Sequence, residues 1–132
     1  MEMRRRIMMN QLKPVNINIW DEEWEIGAFS TSNGLPTTPT ESTLQIRTKN
    51  HIPVVAGTTY YVYSGYVNIR CLFYRNDDSF ISSPSAIKNT TITAPTNAAY
   101  MRFYTGNGYG RTYKNDISIN YPPTETGYHQ HI

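Results

Sequence analysis

The sequence lacks several features that mark large classes of protein. It has one cysteine, Cys71, which rules out an internal disulfide and argues against a small secreted scaffold held by disulfide bridges. No apolar run approaches the roughly twenty residues of a membrane helix, so we expect no insertion into a membrane. The formal net charge is only +2, and part of the basic surplus lies in residues 4–6, so no basic face suited to nucleic acid is expected.

The opening residues MEMRRRIMMN are basic, but they lack the apolar stretch of about seven to fifteen residues that a signal peptide contains. We therefore predict a disordered or leader segment at residues 1–9. A chain of 132 residues is about the length of one domain with a single core. We place that domain at residues 10–129 and a short tail at residues 130–132.

Catalytic and metal-binding patterns are also scarce. The three histidines, His51, His129 and His131, have no spacing that suggests a Ser-His-Asp triad. The acidic residues have no spacing that suggests a pair of catalytic carboxylates. His129 and His131 have no third ligand near them, and the acidic clusters at residues 21–23 and 77–78 would supply at most part of a calcium site. We predict no enzyme activity, no catalytic residue, no metal ligand and no cofactor, and leave a structural calcium ion open.

Residues typical of β-structure take the place of helix formers. The chain has 11 tyrosines, and Thr, Asn and Ser are frequent where a helical protein has Leu, Glu, Lys and Ala. Short alternating segments follow one another, separated by turn sequences such as RNDD, which predicts a polar hairpin turn at residues 75–78. The segments lie at residues 15–20, 24–30, 42–49, 58–65, 66–74, 79–83, 90–95, 99–104 and 116–121. The pattern predicts an all-β fold, an antiparallel β-sandwich (jelly roll) of about eight strands.

Alternation assigns an inner and an outer face to three tyrosine-rich segments, at residues 58–64, 66–74 and 99–104. The inward side chains are Tyr60, Val62, Val67, Ile69, Cys71, Phe73, Ala99, Met101 and Phe103. The outward side chains are Tyr61, Tyr63, Tyr66, Asn68, Arg70, Leu72, Tyr74, Tyr100, Arg102 and Tyr104. If the three strands share one sheet, the outward residues form a polar aromatic surface.

Such a surface suits saccharides, because their C–H faces stack on aromatic rings and their hydroxyls bond to amide and guanidinium groups. Arginine also binds a carboxylate or phosphate on a glycan through two parallel hydrogen bonds. The predicted ligand-binding residues are Tyr61, Tyr63, Asn68, Arg70, Arg102 and Tyr104. The alternative is that outward tyrosines only pack across neighbouring strands and cover the sheet.

Two tryptophans, Trp20 and Trp24, flank the acidic sequence DEE. One of them is expected to close the end of the sandwich, while the other is exposed beside the loops. Contact of either ring with a ligand is left open.

Five motifs extend this interpretation. They are W..GAFS at 24–30, IRTKNHIPVVAGTTYYV at 46–62, FYRNDDSFIS at 73–82, TAPTNAAYMRFY at 93–104 and TYKNDISINYPPTETGYH at 112–129. Their order and spacing, over about residues 10–129, resemble the carbohydrate-binding modules of tail, baseplate and receptor-binding proteins of phages that infect Gram-positive bacteria.

This resemblance implies a non-catalytic jelly-roll module, part of a virion tail or encoded by a prophage, that acts outside the cell in adhesion to the host. The implied partners are a cell-surface glycan and other virion subunits, and a homo-oligomer is left open. Some matching positions are implied to be scaffold: Ile46, Ile52, Pro53, Tyr60, Phe73, Pro95, Tyr100, Arg102 and Ile117. The alternatives are a structural or assembly domain whose tyrosine-rich face packs against another subunit, and an accessory module of a secreted glycoside-active enzyme.

Overall fold

The computed structural model describes residues 16–39, 44–106 and 113–132, and the predicted leader at residues 1–9 lies outside these ranges. The strands are short because turn residues interrupt the alternating segments. In chain order they are β1 (Trp24–Ile26), β2 (Ile46–Thr48), β3 (Ile52–Pro53), β4 (Thr59–Tyr63), β5 (Arg70–Tyr74), β6 (Phe80–Ser82), β7 (Thr90–Thr93), β8 (Tyr100–Thr105) and β9 (Ser118–Asn120). The described residues contain no helix, and the predicted all-β fold is confirmed.

The strands form two antiparallel sheets. The larger has six strands in the order β1-β2-β8-β5-β6, with β3 also paired to β8, and the smaller has three in the order β7-β4-β9. Strand β8 pairs with β5 from Arg70↔Tyr104 to Tyr74↔Tyr100 along one edge. Its other edge pairs first with β3 and then with β2. The larger sheet is therefore built around β8.

One hydrophobic core joins the inner faces of the two sheets. Its buried members include Tyr60, Val62, Ile92 and Ile119 of the smaller sheet and Cys71, Phe73, Met101 and Phe103 of the larger. The inward set predicted from alternation is thus confirmed except at Ala99, whose neighbour Ala98 lies in the core instead. Each large side chain buried in this way contributes about 1.5–3 kcal/mol. Cys71 is a core residue, and its burial raises the pKa of its thiol to about 12.

The premise that the three tyrosine-rich strands share one sheet is wrong. Strands β5 and β8 are neighbours in the larger sheet, but β4 lies in the smaller one, where β7 and β9 occupy its two edges. Alternation determines which face of a strand is buried, and it carries no information on which sheet the strand joins. The predicted outward residues therefore lie on two opposite outer faces of the protein.

A hairpin at residues 28–37, here called the covering hairpin, packs on the outer face of the larger sheet. It is held by the Phe29↔Pro36 bridge and by the backbone N–H of Thr37, which donates to Ala28 O at 3.0 Å. Leu72, Tyr74 and Tyr100, predicted to be outward, are buried with Phe29 beneath it. The outer face of this sheet is thus a second small core rather than an open surface, because strand β1 ends at residue 26 and Phe29 folds over the sheet.

Arginines attach the covering hairpin to the sheet. Arg47 is buried, forms an ion pair with Glu25 and donates from Nη1 to the carbonyls of Ala28 and Thr37, both at 2.9 Å. The Arg102 guanidinium lies over the Phe29 ring, 4.5 Å from its centroid. Buried charge is stable only when it is paired and hydrogen-bonded, and Arg47 meets both conditions.

Substituting Gly27 tests this attachment. Its φ is 130°, and an added Cβ would lie 2.4 Å from Arg47 Nη1. We expect Gly27→Ala to lower the free energy of unfolding by about 1–3 kcal/mol, because the substitution strains the backbone and displaces the guanidinium. Gly57→Ala is the matched control, since its φ of 80° is also in a region that side chains rarely adopt, but its added Cβ would meet nothing within 4 Å. Urea unfolding measures both, and equal stability of the two variants would contradict the attachment.

Candidate functional site

The C-terminal segment, residues 122–132, packs on the outer face of the smaller sheet. Because directly paired residues share a face, Tyr63 lies beside its partner Ser118, and Tyr61 beside Asn120. Asn120 Nδ2 donates to two carbonyls of the segment, at residues 125 and 127, both at 2.7 Å. The Tyr63 ring also contacts that of Tyr128, with centroids 6.4 Å apart. The segment therefore half-buries the outward tyrosines of β4.

Glu22 connects this segment to the N-terminal part of the described chain. Its carboxylate accepts a hydrogen bond from the Tyr128 hydroxyl and another from the backbone N–H of His131 at 3.1 Å. Glu22 has a φ of 63°, in the left-handed region that non-glycine residues other than Asn and Asp adopt infrequently. Backbone conformations of this kind cost about 1–3 kcal/mol and concentrate at ligand-binding sites.

A pocket of about 350 Å³ lies where these segments meet. Its volume is at the lower end of the range of about 300–1,000 Å³ that small-molecule sites occupy. Three parts of the chain line it, and the lining residues are Trp20, Glu22, Trp24, Tyr113, Lys114, Asn115, Tyr128 and Gln130. The pocket thus combines four aromatic rings with a carboxylate, an ammonium and two amides.

The aromatic rings of the pocket stand at steep angles to one another. Trp20 and Trp24 meet edge to face at 77°, with ring centroids 4.7 Å apart, and Trp24 meets Tyr113 at 60° and 6.0 Å. Trp20 is buried and Trp24 is half-buried, so one tryptophan belongs to the core and the other is accessible beside the loops. The indole Nε1–H of Trp20 has no hydrogen-bond partner among the described residues, although buried polar groups normally have one.

The polar groups of the pocket differ in mobility. Lys114, Asn115 and Gln130 are exposed, whereas the Glu22 carboxylate is held by its two donors. Burial, the hydrogen bond to Glu22 and its negative charge raise the pKa of Tyr128 to about 12, so this hydroxyl remains a donor at neutral pH. The carboxylate is the fixed polar element, and the three exposed side chains are free to adjust to a ligand.

The predicted ligand-binding residues fall into two groups. Arg70 and Tyr104 are directly paired across β5 and β8, and Arg102 lies on the same outer face of the larger sheet. Asn68 is exposed in the turn that precedes β5. Tyr61 and Tyr63 lie on the smaller sheet, and the structure does not bring them to the others.

Arg102 is largely engaged within the fold. Its Nη2 donates to the carbonyl of Thr48 at 2.6 Å and to that of Lys49 at 3.0 Å. Burial lowers the pKa of its guanidinium, and the Glu25 carboxylate opposes that shift. This arginine packs like a scaffold residue, while among the described residues the hydrogen bond that Arg70 donates to Ser83 Oγ is long, 3.4 Å. Ligand binding by this group stays a prediction.

Sequence reasoning singled out the two tryptophans but missed the other pocket residues: Glu22 as a pocket residue, Tyr113, Lys114, Asn115, Tyr128 and Gln130. Glu22 lies between the tryptophans, but the other five lie about 90 positions or more beyond them in the sequence, so only long-range pairing brings them together. A usable signal was the sequence GYHQHI, where an aromatic residue and polar side chains follow the last predicted strand. The predicted domain limits instead place residues 127–129 at the end of the domain and residues 130–132 in a tail.

The acidic clusters bind protein groups in this structure. Asn50 Nδ2 donates to both Asp21 and Glu23. The Asp77 carboxylate accepts bonds from the N–H and hydroxyl of Ser79, which lower the pKa of Asp77, and the predicted hairpin turn between β5 and β6 is confirmed. Within the described ranges, no group of three or more His, Cys, Asp or Glu residues is arranged to hold a metal ion. In the same ranges no helix is long and apolar enough to span a membrane.

Comparison of the chain with known protein families, with curated proteins and with solved structures gave no match.

The raised pKa of Tyr128 predicts a pH dependence of stability. A tyrosine whose pKa is near 10 in the unfolded chain and about 12 in the folded protein stabilises the fold below pH 10. That contribution is lost as the pH rises from about 10 to about 12. We expect the free energy of unfolding, measured in urea, to fall less over this range in Tyr128→Phe than in the unchanged protein. Identical pH profiles would show that folding does not raise the pKa of Tyr128.

Proposed function

We propose that the chain is a non-catalytic glycan-binding module that holds a saccharide in the pocket between Trp24 and Tyr128. We further propose that its two sheets form a jelly-roll sandwich, and that it belongs to a phage tail or receptor-binding protein, carried on the virion or encoded by a prophage. In that setting it acts outside the cell and attaches the particle to a saccharide on the host surface.

The observation that carries this proposal is the composition of the pocket. Half-buried Trp24 and Tyr128 offer rings to the C–H faces of a sugar, while Asn115, Gln130 and Glu22 offer amide and carboxylate groups to its hydroxyls. The resemblance of the motifs to phage carbohydrate-binding modules supports the same ligand class and supplies the biological setting.

The pocket is a better candidate than the predicted outer face for a physical reason. On the larger sheet, Tyr74 and Tyr100 are buried under the covering hairpin and Arg102 bonds to backbone carbonyls, so few groups remain for a ligand. The group around Arg70 and Tyr104 is kept as a second location for the same function.

Calorimetric titration with fragments of Gram-positive cell-wall polysaccharide tests the proposal. We expect Trp24→Ala to weaken binding at least about tenfold and Gln130→Ala about fivefold, because they remove a stacking ring and a hydrogen bond. The Trp24 side chain packs against the core, so Trp24→Ala could unfold the protein. Gln130 is exposed, and its variant therefore keeps the test valid in that case.

Two further variants complete the titration. Tyr66→Ala is the control, because Tyr66 is 96% exposed and does not line the pocket. Arg70→Ala reports on the outer face of the larger sheet. Loss of binding in Arg70→Ala with unchanged binding in Gln130→Ala would move the site to that face. No binding by the folded, unchanged protein would refute a glycan-binding function.

An assembly domain of a virion protein is the second candidate. It is supported by large apolar side chains that remain exposed, among them Tyr66 at 96% and Val55 at 67%. A stable oligomer in sedimentation velocity that Tyr66→Ala dissociates, together with absence of saccharide binding, would favour assembly over adhesion.

A further inference from the structure

We propose that the pocket recognises a cationic ammonium group, best a quaternary one, borne by the bound saccharide. The saccharide part of this inference rests on the proposed function. The ammonium part rests on the pocket alone.

The arrangement of the rings is the first argument. A saccharide ring stacks on one flat aromatic face, whereas an ammonium group is attracted by several faces around it, because each carries negative electrostatic potential. Half-buried Trp24 and Tyr128 are the accessible rings of the lining, and buried Trp20 and Tyr113 pack edge to face against Trp24 at angles of 77° and 60°. Tryptophan and tyrosine are also the rings that bind cations most strongly.

The unneutralised carboxylate is the second argument. Among the described residues no lysine, arginine or histidine side chain forms an ion pair with Glu22, whereas Glu25 and Glu125 both have such partners. The two groups that bond to Glu22, a hydroxyl and a backbone N–H, are uncharged. A half-buried carboxylate in an aromatic setting is stabilised by a cation, and a ligand ammonium group would supply it.

Lys114 provides a test of sign. Its ammonium also lines the pocket, but the side chain is exposed and forms no ion pair among the described residues, so it is free to turn towards water. If the ligand group is cationic, Lys114 opposes binding; if it is a carboxylate or phosphate, Lys114 favours binding. Lys114→Met removes the charge at nearly constant length, and the direction of the change in affinity identifies the charge of the ligand.

The experiment is a titration monitored by tryptophan fluorescence, at constant ionic strength, with choline chloride and with 3,3-dimethylbutan-1-ol, its uncharged isostere. We expect choline to bind at least about tenfold more tightly than the isostere, since only choline gains from the rings and the carboxylate. Lys114→Met should tighten choline binding about two- to fivefold. Glu22→Gln should weaken choline binding about tenfold. Because Glu22 also bonds to Tyr128 and His131, Lys114→Met is the variant that leaves those contacts undisturbed.

Equal affinity for choline and its isostere, or weaker choline binding in Lys114→Met, would overturn the inference. Neutral saccharide binding that depends on Gln130, without choline binding, would leave the proposed function intact and remove only the ammonium group. Choline binding without any saccharide binding would support the ammonium site and refute the proposed glycan-binding function. If neither choline nor saccharide binds, both proposals are refuted.

Discussion

The Glu22 carboxylate holds together the two parts of the chain that form the candidate site. Its hydrogen bonds to Tyr128 and to the backbone of His131 fix the C-terminal segment against residues 16–24. Residues 17–19 also bond to strand β9 and to its neighbour Tyr121, and His131 Nδ1 lies 2.8 Å from Asn18 O, so the Glu22 bonds act together with these contacts. Its left-handed backbone lies between the two tryptophans, whose rings meet edge to face.

Both outer faces of the sandwich-like core are covered by parts of the same chain. The covering hairpin packs on the larger sheet through Phe29 and Arg47, and the C-terminal segment packs on the smaller sheet through Asn120 and Tyr128. Short strands expose many backbone and aromatic groups, and such covers bury them without adding a third layer. The tyrosine-rich faces therefore serve mainly packing, and the aromatic pocket lies between residues 20–24, residues 113–115 and the C-terminal segment.

The parts of the fold that follow from local alternation were predictable. Tyr60, Val62, Cys71, Phe73, Met101 and Phe103 are inward as expected, and the turn at Asp77 joins two strands. The sheet to which each strand belongs was not predictable. The partners of β4 lie about 30 and 57 positions away, and alternation carries no information on them. The sequence singled out Trp20 and Trp24 and left their contact with a ligand open, and no pocket was predicted there. Of the remaining pocket walls, Tyr128 is placed by a hydrogen bond to Glu22, 106 positions away, for which no local pattern exists.

The central claim, that saccharide binds in the aromatic pocket, can be tested directly because the chain has only two tryptophans and both line it. In a two-dimensional ¹⁵N–¹H correlation spectrum, they give two indole signals that are resolved from the backbone amides. During titration with cell-wall polysaccharide fragments, we predict that both indole signals shift with the same saturation curve. Unchanged indole signals, with shifts confined to backbone amides around Arg70 and Tyr104, would contradict the account.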